Sequence, residues 1–95
     1  MVKAVLNGTI IAESSDTIIV ENNYYFPKKD VKLNYMSPSD YHTTCPWKGK
    51  ASYYDIEIDG KKYKNIAWYY PEPKKGAEMV KDRIAFWKEV KFEES

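Results

Sequence analysis

Ser52-Tyr53-Tyr54-Asp55-Ile56-Glu57-Ile58, then Asp59-Gly60, then Lys61-Lys62-Tyr63-Lys64-Asn65-Ile66-Ala67-Trp68 is the stretch that decides the fold class. Asp-Gly is a preferred pair for a two-residue type I′ turn, because both positions need positive φ and these residues tolerate it. A turn of that length fixes the register. Ile58 faces Lys61, Glu57 faces Lys62, Ile56 faces Tyr63 and Asp55 faces Lys64. One face then carries two opposite-charge pairs, each worth about 0.2–1 kcal/mol. The other face carries Tyr54, Ile56 and Tyr63. Past Asn65 the alternation weakens, since Ile66, Trp68 and Tyr70 share parity with Lys62 and Lys64. Either a bulge exchanges the faces or this stretch is covered on both sides.

Upstream, Lys3 to Glu13 reads as one strand and Ser14-Ser15-Asp16 as a turn. Thr17-Ile18-Ile19-Val20-Glu21 is a short β-branched strand. Asn22-Asn23 is its tight turn and Tyr24-Tyr25-Phe26 its return, ended by Pro27, which has no N–H for a ladder. Lys28-Lys29-Asp30 reads as a loop and Val31 to Met36 as a strand. The polar segment Ser37 to Thr44, with Pro38 inside it, reads as a long loop. Downstream, Pro71-Glu72-Pro73 ends the second hairpin strand, and Lys74 to Lys81 has room for one or two helical turns. Arg83 to Trp87 and Val90-Lys91-Phe92 read as final strands. The competing reading is a helix across 76–90 with Met79, Val80, Arg83, Ile84 and Trp87 on one stripe. The pattern predicts a mainly β protein, a compact antiparallel, barrel-like sheet structure with at most one short helix near residues 74–82.

Ninety-five residues suit a single domain, residues 1–95. A core of that size must draw on its nine Tyr, three Trp and three Phe. The 15 basic and 14 acidic side chains nearly cancel and form no long block of one sign. A nucleic-acid partner is therefore not expected, since phosphate binding needs a basic patch. Cys45 stands alone, which rules out an internal disulfide and a cysteine-rich zinc site. A single unpaired thiol, no apolar leader at the N-terminus and no apolar run of membrane-spanning length set the expectation of a cytoplasmic chain without membrane contact.

Thr44-Cys45-Pro46-Trp47-Lys48-Gly49 gathers the residue types that do chemistry. A thiolate is a nucleophile whose pKa a nearby cation lowers, and Lys48 and His42 each lie three residues from Cys45. Cys45 is thus a nucleophile, a residue lining a ligand, or a plain core residue, as free cysteines most often are. Lys48-Gly49 suits an anion, a lysine charge beside a close backbone approach, although the P-loop pattern is absent. The alternative is a turn glycine beside a solvated lysine. His42 is the sole histidine and has no cluster of metal-ligating neighbours, so no metal site is expected. Glu13, Glu21 and Asp30 are general acid or base candidates by type, with solvated or turn-capping roles as the alternative. Tyr53-Tyr54 and Trp68-Tyr69-Tyr70 either line a pocket or fill the core.

The ordered motifs Tyr25-Phe26-Pro27-x-x-Asp30-Val31, Thr44-Cys45-Pro46-Trp47-Lys48-Gly49-x-Ala51-x-Tyr53-Tyr54, Ala67-Trp68-x-Tyr70-x-x-Pro73 and Ala85-Phe86-Trp87 resemble the family known as domain of unknown function 427. The resemblance covers nearly the whole chain. It implies a compact, mostly antiparallel fold similar to β-tent domains, and strands rather than a long helix over 83–92. Some β-tent relatives hold zinc through two Cys-x-x-Cys pairs; one cysteine cannot supply that site. The family's label suggests nucleotidyl transfer, a chemistry that relies on carboxylates holding divalent metal, and no Asp-x-Asp motif is present. The resemblance carries over a candidate cleft of Glu21, Cys45, Lys48, Tyr53 and Trp68. Three functions are open: a binding module for a small anionic or planar ligand, an enzyme dependent on Cys45 with Lys48, and a protein-interaction module without catalysis. No cofactor is expected.

Overall fold

A computed structural model describes all residues, Met1–Ser95. The Asp59-Gly60 hairpin forms as its sequence dictates. β6 (Gly49–Ile58) and β7 (Lys61–Tyr69) pair antiparallel, with Ile58 opposite Lys61, Glu57 opposite Lys62 and Ile56 opposite Tyr63. Asp59 and Gly60 both take positive φ, 51° and 80°. The register then shifts, and Tyr54 meets Ala67. The expected pairing of Asp55 with Lys64 is not made. The buried Asp55 carboxylate instead accepts the backbone N–H of Asn65 at 2.8 Å. Asn65 adopts φ 55° there, a conformation Asn tolerates better than most residues. A bulge therefore exchanges the faces, and the strand beyond it is also covered on both sides, so both options open in the sequence hold together.

β5 (Met36–Cys45) and β8 (Ile84–Phe86) flank this hairpin, giving the order β5-β6-β7-β8. The expected loop over 37–44 is thus a strand, and the expected strand over 31–36 is mostly a 3-10 turn at Leu33–Tyr35. Pro38 is tolerated because β5 lies at the sheet edge, where a missing N–H breaks no interior ladder. A register shift between Pro38 and His42 accompanies it. The expected single strand over 3–13 is two strands. β1 (Val2–Leu6) and β2 (Thr9–Ser14) pair across Asn7-Gly8, both at positive φ, 50° and 77°. β9 (Lys91–Glu94) pairs with β1 and completes a second sheet, β2-β1-β9. A third, two-stranded unit joins β3 (Ile18–Val20) to β4 (Asn23–Tyr25). It is anchored where Phe26 and Ile84 exchange backbone hydrogen bonds of 2.8 and 2.9 Å.

The fold is mainly β and antiparallel, and the sheets stay open rather than closing into a barrel. No α-helix forms. The short helix expected near 74–82 is a 3-10 turn at Glu78–Val80, and another lies at Lys28–Asp30. No helix is long and apolar enough to cross a membrane.

Two clusters form the core, one on each face of the four-stranded sheet. The larger packs Leu6, Ile11, Phe26, Ile56, Ile66, Ile84 and Phe86 between the two main sheets. Each such side chain contributes about 1.5–3 kcal/mol on burial. The smaller gathers Tyr25, Ala51, Tyr53, Trp68, Tyr70, Ala77, Val80 and Ala85. Alternation at the end of β7 and into the residue after it sends Ala67 and Tyr69 to the first and Trp68 and Tyr70 to the second. The smaller cluster lies beneath the candidate segment.

Candidate functional site

Cys45 pairs with Gly49, so Pro46-Trp47-Lys48 is the connection between β5 and β6. Residues 72–74 strap it down. The Lys74 N–H donates to the Lys48 carbonyl at 3.0 Å, and Lys74 Nζ donates to the Pro46 carbonyl at 2.9 Å. Gly49, at φ 110°, is required by both torsion and space. A Cβ there would lie 3.4 Å from the Glu72 carbonyl oxygen and 3.5 Å from the Lys74 nitrogen.

The β3–β4 turn comes to meet this connection. Its register pairs Val20 with Asn23, so the turn residues are Glu21-Asn22, one position earlier than the expected Asn22-Asn23. Glu21 has φ 53° and Asn22 φ 66°. The turn presents the Glu21 carboxylate to Lys48, and Oε1 forms an ion pair with Lys48 Nζ. Its second oxygen accepts Trp47 Nε1–H at 3.3 Å. Lys48 is 4% exposed. Its ammonium stands 5.0 Å from the Trp47 ring centroid and 5.7 Å from that of Tyr70, within the range of cation–π attraction. Burial lowers the Lys48 pKa, and the Glu21 carboxylate in contact opposes that by favouring the charged form.

Cys45 is half-buried and packs on the smaller cluster. Tyr53 and Trp68 belong to that cluster and are 6% and 8% exposed. Their rings are 6.3 Å apart between centroids. Trp68 Nε1–H donates to the Tyr25 hydroxyl at 3.2 Å, and the Tyr53 hydroxyl shares a 3.0 Å hydrogen bond with Thr43 Oγ1. Burial raises the pKa of Tyr25 and of Tyr70, with Cys45 and Tyr53 adding to the effect in each case. Tyr53 and Trp68 are thus packed walls rather than open stacking platforms.

The five candidates fall into one neighbourhood in two groups. Glu21 and Lys48 touch; Cys45, Tyr53 and Trp68 share one cluster, and Tyr70 links the two groups. His42 does not join them. Three residues along a strand reverse the side chain, so His42 lies on the face opposite Cys45, exposed, with Nδ1 3.2 Å from the Ala51 carbonyl oxygen and 3.4 Å from Ser52 Oγ. Glu13 pairs with Lys3 at 3.6 Å, and Asp30 accepts Ser14 Oγ–H at 2.6 Å, both away from the segment. No three His, Cys, Asp or Glu side chains come together as a metal-holding group. Tyr25, Tyr70 and the Trp47 indole N–H were missing from the sequence-based set. The indole contact had no local signal, whereas Tyr25 and Tyr70 stood inside the family motifs. The one cavity, about 440 Å³, lies elsewhere, against Val5, Asn7, Lys61 and Lys91.

A search of curated proteins returns no match. The family model described as "Domain of unknown function (DUF427)" matches residues 1–94. With that match spanning almost its entire length, the chain belongs to the DUF427 family.

Proposed function

We propose that the chain is a binding module for a small anionic or planar ligand, received at the Thr44–Gly49 segment among Glu21, Cys45, Lys48, Tyr53 and Trp68. The observation that carries this is Lys48. It is the one buried lysine, and its single carboxylate partner sits on a turn of a different sheet with a half-exposed side chain. An incoming anion takes the place of that carboxylate, so the ammonium is never left unpaired in a poorly hydrated setting. A flat ring attached to the anion lies against Trp47, which is 40% exposed. Cys45, Tyr53 and Trp68 form the packed backing.

A thermal-shift screen against nucleotides and small metabolites tests it. A ligand at a hundredfold its Kd adds about 2.7 kcal/mol, which raises Tm by roughly 10 °C or more for a domain of this size. Lys48→Ala and the shape-conserving Lys48→Met abolish the shift. A broad library without a hit, or a hit that both folded variants retain, contradicts the proposal.

A second reading, a protein-interaction module, draws on the exposed rings of Tyr41, Trp47 and Trp87. A concentration-dependent change in size-exclusion volume that Trp87→Ala removes favours it.

A further inference from the structure

We infer that the hollow between the β1–β2 turn and the start of β7 is a separate binding site for a small organic carboxylate with an apolar body. It is the only cavity in the molecule, and at about 440 Å³ it falls within the range of small-ligand sites. Three strands converge on it. β1 and β9 bring Val5 opposite Lys91, and β7 brings Lys61 and Tyr63 as it leaves the Asp59-Gly60 turn. The Asn7-Gly8 turn lies along its rim, and a Cβ on Gly8 would meet nothing within 4 Å.

The lining sorts by chemistry. Val5 and the edge of the buried Tyr63 supply the apolar part of the lining, while Lys61, Lys91 and Glu89 are charged and Asn7 is polar. None of these three charged residues takes part in any of the four ion pairs of the chain. The Lys61 ammonium rests 4.9 Å from the Tyr63 ring centroid, which draws it toward that ring rather than into bulk water. Two cations against one carboxylate leave a surplus of one positive charge. That surplus matches a monoanion, Glu89 opposes a second negative charge on the ligand such as a phosphate dianion carries, and Val5 with the edge of Tyr63 gives a small hydrocarbon body something to rest on. The site shares no residue with the Lys48 segment.

The test is a proton–nitrogen NMR titration of the intact chain at low salt with sodium benzoate, and in parallel with neutral benzamide. Benzoate produces saturable shifts at the amides of residues 5–8, 61–63 and 89–91, with a Kd on the order of millimolar, as expected for two exposed cations. Benzamide binds at least about tenfold more weakly, and so does benzoate to the Lys61→Ala/Lys91→Ala variant. Both lysines are exposed, and an unchanged spectrum away from the site verifies that the variant is folded. Equal binding of the two probes, equal binding to the double variant, or shifts that never saturate each overturn the inference. Shifts confined to residues 21 and 44–49 overturn it too, while supporting the Lys48 site.

Discussion

Glu21 holds a backbone conformation that suits glycine or asparagine, φ 53°. Such a residue costs on the order of 1 kcal/mol. The contact with Lys48 and the Trp47 indole is what offsets it, and a turn chosen for closure alone would carry Asn-Gly. Around that pair the hydroxyls are held neutral. Tyr25 and Tyr70 have raised pKa values because burial disfavours the phenolate; on the other face of the sheet Tyr54 is raised by burial, with Tyr69 adding to it. The unfolded chain ionises at the ordinary tyrosine value of 10.0. The stability from these groups is therefore complete below about pH 10 and is lost as pH rises through the higher folded values. Urea unfolding at about pH 8, 10 and 11 should show ΔG falling across the upper interval. Tyr70→Phe should make that fall shallower, because it removes the most strongly raised group. An equally steep fall in Tyr70→Phe contradicts this assignment.

At the level of elements, what was legible depended on whether local signals agreed. Asp59-Gly60 sits between strands whose alternation and charges select one register, and it formed that register up to the bulge. Asn7-Gly8 carries the same turn chemistry, but Val5, Leu6, Ile10, Ile11 and Ala12 surround it with apolar residues that read as a continuous strand. β5 was hidden by composition. Ser37, Pro38, Asp40 and Thr44 are exposed on an edge strand, and a water-facing edge has the same polarity as a loop. The final strands outcompeted the helix because β8 pairs with β7 and β9 with β1, a tertiary gain that helical periodicity over 76–90 does not report. The β3–β4 unit has only three residue pairs, and two-stranded ribbons are marginal by themselves. Hydrogen exchange should find its amides opening locally, at least about tenfold faster than those of β6 and β7, which exchange by global unfolding. Protection of β3–β4 equal to that of β6–β7 would mean that Glu21 cannot withdraw from Lys48 without unfolding the domain.

In the whole molecule, the candidate site exists because distant segments of the chain pack together. The Cys-Pro-Trp-Lys-Gly segment was visible as a motif. Its partnership with Glu21 was not, because that contact joins two sheets and follows from the packing of β4 on β8 and of the smaller cluster beneath. Likewise, the sequence supplied Tyr53 and Trp68 as rings but not their burial. The cavity beside Lys61 and Lys91 needed the pairing of the first and last strands, which no local pattern announces. The direct measurement of the Glu21–Lys48 centre is a double-mutant cycle in unfolding free energy, using Glu21→Gln, Lys48→Met and the double variant. Glu21→Gln alone should cost about 1–2 kcal/mol, discounted for its half-exposed side chain, because it leaves a buried ammonium without its counter-charge. The double variant should lose at least about 1 kcal/mol less than the sum of the singles. Additivity within about 0.5 kcal/mol would contradict a coupled pair and leave Lys48 as an ordinary turn lysine.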